Sequence, residues 1–158
     1  MKILLVSDTH GHSLKLKNEI LPKYANEVDV AIHLGDFARD LLDLQPTYPT
    51  LTMVGVAGAF EIGQTEKVLT LSGKRILLTH GHKNGVKSNL SRIAYYANEK
   101  DVDACFFGHT HASTIFTAGR VLIANPGSAT EPRGNTNASI GIVTISSEGE
   151  MSVEIVDV

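Results

Sequence analysis

Four apolar runs in this chain each end in residues that can bind or transfer protons. "KILLV" leads into Ser7-Asp8-Thr9-His10, and "VAIHL" leads into Gly35-Asp36. "RILLT" leads into His80-Gly81-His82, and "ACFF" into Gly108-His109-Thr110-His111. Taken singly each is a weak signal, because Asp and Gly are turn residues and a lone His beside a strand is usually a hydrogen-bonded side chain. Taken together, two carboxylates and several imidazoles without a thiolate make the donor set that borderline divalent cations accept, among them Mn²⁺, Fe²⁺, Zn²⁺ and Ni²⁺. Clustered without a cation, the same groups would be poorly paired and costly to desolvate. A metal site is the expectation.

A fifth run closes differently. "VGVAGAFE", Val54 to Glu61, offers Gly and Ala where the others offer Asp or His. It reads as a tight turn, or as a site lacking one member. His33 lies inside the apolar run "VAIHLGD" and is expected to pack or hydrogen-bond within the fold rather than bind metal. His12 and His82 are loop residues near the candidate ligands, expected to be donors behind the ligands, acid catalysts or solvated side chains. "NPGSATEPRG", Asn125 to Gly134, reads as a turn-rich loop with Arg133 solvated.

These residues need elements to position them. Lys2–Val6, Asp29–Leu34, Leu51–Val54, Arg75–Thr79 and Ala104–Phe107 are short apolar runs bounded by turn residues, the pattern of buried strands. A helix capped by Ser13 and limited by Pro22 is expected to carry Leu14, Ile20, Leu21 and Tyr24. A second is expected around Leu90, Ile93, Ala94 and Ala97. Strand–helix–strand alternation favours parallel pairing. Hairpins are expected across Ser72-Gly73, Ala118-Gly119 and Ser147-Glu148-Gly149. The sum is an α/β fold of two packed sheets with helices outside, in one domain spanning 1–158. In open α/β sheets ligands bind beyond the carboxyl ends of strands, which is where the Asp and His residues fall.

Composition bounds the partners. The chain has 158 residues and a net charge of −3, so it has no basic excess for nucleic acid or an anionic membrane. Its N-terminal apolar run is too short for a signal core or a membrane span. Cys105, the one cysteine, sits in an apolar run and reads as a small core residue. A cytoplasmic protein is expected, and an oligomer is compatible with the sequence.

The ordered set "SDTHG", "HLGD", "THGH", "GHTH" and "NPGS" resembles the calcineurin-like metallophosphoesterases. It is most similar to the small phosphodiesterases of bacteria and archaea, a group related to the retromer subunit. The resemblance implies a four-layer αββα sandwich with two divalent cations, Mn favoured, at the strand ends. It implies that Asp8, His10 and His111 hold the first metal, Asp36 bridges, and His80 and His109 hold the second. The family's remaining ligand is an Asn in a G-N-x-D or G-N-x-H segment, and here Ala59 stands at that position. The next residue, a His in larger phosphatases, is Phe60. The implied activity is hydrolysis of a small phosphate ester, more specifically a diester, by metal-activated water, with a weakened second site and reduced activity. His12 and His82 are the candidates for assisting the leaving group. The alternative is a catalytically weak, metal-binding scaffold for protein–protein contact.

Overall fold

The computed structural model describes residues 1–158. One sheet contains β1 (Lys2–Val6), β2 (Val30–His33) and β3 (Thr52–Gly55), paired in parallel with Leu5 opposite Ile32 and Ile32 opposite Val54. The second contains β4 (Glu66–Leu71), β5 (Lys74–Thr79), β6 (Ala104–Phe107), β7 (Ser113–Ala118) and β8 (Val121–Pro126). Its order is β4-β5-β6-β8-β7, with β5, β6 and β8 parallel. The chain returns to the first sheet through β9 (Ser139–Ile145) and β10 (Met151–Asp157), so that sheet runs β10-β9-β1-β2-β3.

Both faces of the central strands are buried, which is why they read as unbroken apolar runs rather than alternating ones. Ile3 and Leu5 point from β1 into the space between the sheets, where they share a core with Ile32, Ile76, Leu78 and Phe106. Their neighbours Leu4 and Val6 point outward and pack with Leu16, Ile20, Leu21 and Leu41 from the helices. On the far side, Leu77, Cys105, Phe107 and Ile123 meet Ile93 and Ala97 of the Ser91–Glu99 helix. Three apolar layers between four layers of backbone give the αββα sandwich. The three expected hairpins pair as β4–β5, β7–β8 and β9–β10.

The N-terminal helix departs from expectation. Ser13 is its first helical residue and makes no capping bond; the N-cap position is His12. Leu14 faces solvent, 67% exposed. Pro22 does not end the helix, which continues through Leu21–Tyr24. The turn before it, Leu16–Ile20, is π-helical, with the Leu21 N–H bonded to the Leu16 carbonyl. The wider turn accommodates a proline that has no N–H to give and whose ring crowds the preceding turn.

No helix is long and apolar enough to cross a membrane. Cys105 is fully buried, and burial pushes its thiol up from the ordinary range. A thiol reagent is therefore expected to leave the native protein unmodified and to titrate one thiol after unfolding; prompt labelling of the native state would contradict this packing.

Candidate metal centre

The parallel strands of both sheets end at one edge, and β1, β2, β5 and β6 each deliver a short polar segment there. Five of the six expected ligands hold a left-handed backbone: Asp8 (φ 53°), His10 (49°), Asp36 (54°), His109 (69°) and His111 (59°). Non-glycine residues in this region carry a cost of about 1–3 kcal/mol each and persist only where the surroundings fix them. Here they are fixed by hydrogen bonds. The Asp8 carboxylate accepts from Ser7 Oγ at 2.6 Å and from the His109 N–H at 3.0 Å, which ties the two sheets together. Ser128 Oγ donates to the Asp8 carbonyl at 2.8 Å. Gly108 has no Cβ because Ser7 Oγ and the Asp8 carboxylate occupy that space.

A second set of bonds holds the loop after β1. The Gly35 N–H donates to His33 Nδ1 at 3.2 Å, so His33 carries its proton on Nε2 and gives it to Thr9 Oγ1 at 2.9 Å. Thr9 Oγ1 then donates to Asp40 Oδ2 at 2.6 Å, and the same oxygen accepts the Gly11 N–H at 2.9 Å. His33 is fully buried, and that burial, with the positive charge of His80 nearby, lowers its pKa to about 3. It is a neutral structural residue, as the sequence suggested.

The ligand atoms converge in two groups that share one residue. Those of Asp8, His10, Asp36 and His111 lie within 4.8 Å of one another, as do those of Asp36, His80 and His109. His111 Nδ1 donates to the Glu131 carbonyl and His80 Nδ1 to the Leu34 carbonyl, both at 2.7 Å. Carbonyls only accept, so both rings keep a proton on Nδ1 and turn Nε2 into the cluster. His111 Nε2 meets His10 Nε2 at 3.2 Å, and His80 Nε2 meets His109 Nδ1 at 3.1 Å. Pairs of imidazole nitrogens facing each other beside carboxylates suit a shared cation better than shared protons. The donor set fits divalent metal.

Electrostatics agree. Burial raises the Asp8 carboxyl, against the pull of His80 and His111. Burial also works against the charged form of Asp36, yet its hydrogen bond to His80 and the charges of His80 and His10 hold it well below the usual carboxylate range. His80 is raised: burial opposes its charge, but the Asp36 hydrogen bond and the charges of Asp8 and Asp36 outweigh it. His109 is lowered to about 4 by burial and by the charge on His80.

The segment after β3 reaches the same edge. Gly58 abuts Asp36 so closely that a Cβ would overlap the carboxylate and its backbone N. Ala59 sends its N–H to Asp36 Oδ1 at 3.1 Å but brings only a methyl group. Glu61 accepts the N–H groups of Gly58 at 2.6 Å and Ala38 at 3.0 Å, fixing the turn. His82 borders the second group, its ring centroid 5.4 Å from that of His80 and 6.0 Å from that of His109, and its buried Nδ1 has no partner. His12 instead faces outward, with Nε2 3.7 Å from Glu131 Oε1. Asp40 was not anticipated from sequence, and Ser128, Glu61 and Asn125 fell in quoted segments without an assigned role. Of these, Ser128 and Asn125 lie in "NPGS", where Asn125 Nδ2 holds the Gly108 carbonyl at 2.9 Å.

Residues 1–148 match the calcineurin-like phosphoesterase superfamily domain. The chain is 35% identical over 156 residues to the probable metallophosphoesterase YsnB of Bacillus subtilis, covering 94% of this chain and 86% of that one. Its fold resembles that of a predicted phosphoesterase from Streptococcus pneumoniae, with a TM-score of 0.79 and 29% identity over 99% of this chain and 88% of the other. Phosphodiesterase YfcE of Escherichia coli is 34% identical over 84 residues, 53% of this chain and 42% of YfcE. A solved YfcE structure has a TM-score of 0.70 at 23% identity, covering 98% of each chain.

Two outcomes follow from this geometry. Gly58→Ala is expected to lose about 2–3 kcal/mol of stability by overpacking against Asp36 and to weaken divalent-metal binding in calorimetry. His33 binds its proton less readily folded than unfolded, so its contribution is full above pH 6.5 and lost as pH falls toward about 3. Denaturant unfolding of the metal-free protein should show His33→Gln less stable than wild type at pH 7, with the gap narrowing toward pH 4.5.

Proposed function

The chain belongs to the calcineurin-like phosphoesterase superfamily, and from that premise we propose that it is a phosphodiesterase working with two divalent cations, Mn²⁺ the favoured pair. The observation that carries this reading is the sharing of Asp36 between two ligand groups. Asp8, His10, Asp36 and His111 would hold one cation, and Asp36, His80 and His109 the other. Bound there, such cations supply Lewis acidity, lowering the pKa of water and neutralising charge on a phosphoryl group.

The chain's own residues do the rest. Asp36 sets the spacing of the two groups because its carboxylate alone faces both. The carbonyls of Leu34 and Glu131 keep Nε2 of His80 and His111 turned inward. The second group has three side chains against four in the first, and Ala59, whose N–H bonds Asp36, adds no ligand atom to it. The second site is therefore the weaker one, and turnover is reduced with it. His82 is assigned the leaving-group side. Burial and the charges of His80 and Lys83 lower its pKa, and a ring N–H there would donate a hydrogen bond to a departing oxygen.

Metal stoichiometry and hydrolysis of a chromogenic phosphodiester test this reading together. Ala59→Asn is expected to raise second-site occupancy and turnover by roughly tenfold or more; no change in either would remove Ala59 from the site. His82→Gln should lower kcat by about a hundredfold, while His12→Gln stays near wild type. Two bound metals without turnover of any ester would favour the scaffold reading.

A further inference from the structure

A cleft of about 650 Å³ opens beside the ligand cluster on the side of His10 and Asp36. Its interior is apolar, with Leu42, Val56 and Ala57 on the walls. At its rim stand three large side chains turned to water: Phe37 at 49% exposure, and Phe60 and Ile62 both fully exposed. Apolar residues gathered around one opening, rather than scattered, mark a place where something apolar binds. The volume lies in the range that small-molecule sites occupy.

Charged groups of both signs line the cleft, Arg39 and Lys67 with Asp36 and Glu61. Arg39 and Lys67 line it, and neither is in an ion pair. Glu61, which shares the cleft, has both carboxylate oxygens bonded to backbone N–H groups. Two free cations beside an apolar wall suit a ligand that is aromatic and also anionic. The cleft is continuous with His10 and Asp36, whereas His82 borders His80 and His109. A phosphoryl group at the cluster would thus have one ester group near His82 and the other at the mouth of the cleft.

Building on the phosphodiesterase reading above, we propose that the cleft holds the ester group retained on phosphorus. The substrate class is phosphodiesters whose retained alcohol is a bulky aromatic carrying a further negative charge. Apolar contact selects the ring, and Arg39 and Lys67 select the anionic substituent.

Three esters with one leaving group test this: methyl, phenyl and 4-carboxyphenyl p-nitrophenyl phosphate. From methyl to phenyl, kcat/KM should rise roughly tenfold, as filling an apolar pocket does, and the carboxylate should raise it further. Arg39→Gln with Lys67→Gln should bring the carboxyphenyl-to-phenyl ratio close to one. Phe60→Ala with Ile62→Ala should lower the phenyl-to-methyl ratio. If the esters are cleaved equally and the variants leave the ratios unchanged, the cleft proposal is overturned while the phosphodiesterase reading stands. If no ester is cleaved with any divalent metal, that reading fails, and calorimetric binding of the same esters decides the cleft. Tighter binding of the carboxyphenyl ester, lost with Arg39 and Lys67, supports it; equal binding of all three overturns it.

Discussion

Asp36 stands where the two sheets meet, and the rest of the site is arranged around it. One carboxylate oxygen faces His80 Nε2 at 3.3 Å, across the sheet interface, and accepts the Ala59 N–H. The other faces His10 Nε2 at 3.6 Å within its own sheet. A carboxylate in this position must be desolvated in part, and three surrounding groups hold it charged against that penalty. The absence of a Cβ at Gly58, and the Glu61 carboxylate that fixes the Gly58 turn, are best understood as guards on that position.

The backbone carries the cost of this arrangement. Ligands on successive strand ends would diverge if the chain left each strand in an extended conformation. The left-handed turns at Asp8, His10, Asp36, His109 and His111 redirect them inward. Such turns are sustained by bonds to partners far away in sequence, among them Thr9 with Asp40 and His109 with Asp8. The sandwich below supplies the rigidity: the core between the sheets includes Leu5, Leu34, Leu78 and Phe106, all fully buried within a few residues of the ligands.

How much of this was legible in the sequence depends on how local its cause was. β1 and β6 fall on the expected residues, because a strand buried on both faces is an apolar run ended by turn residues. The convergence of the candidate ligands was legible for a similar reason: Asp and His at strand ends are informative by type. The N-terminal helix was misread because a rule for Pro in a helix interior does not foresee a π-turn that absorbs it. Asp40 was invisible, since nothing in its own segment shows that Thr9 and Gly11 will lie against it. The cleft was invisible too. Phe37, Leu42 and Val56 come from separate segments of ordinary composition, and only the fold brings them beside Phe60 and Ile62.

The central claim is that Asp36 joins two cation sites rather than completing one. Crystals of the wild-type protein grown with Mn²⁺ test it by anomalous diffraction at the manganese edge. Two peaks are expected, one among Asp8, His10, Asp36 and His111 and one of lower occupancy among Asp36, His80 and His109. A single peak at full occupancy that leaves His80 and His109 bonded only to protein would contradict it.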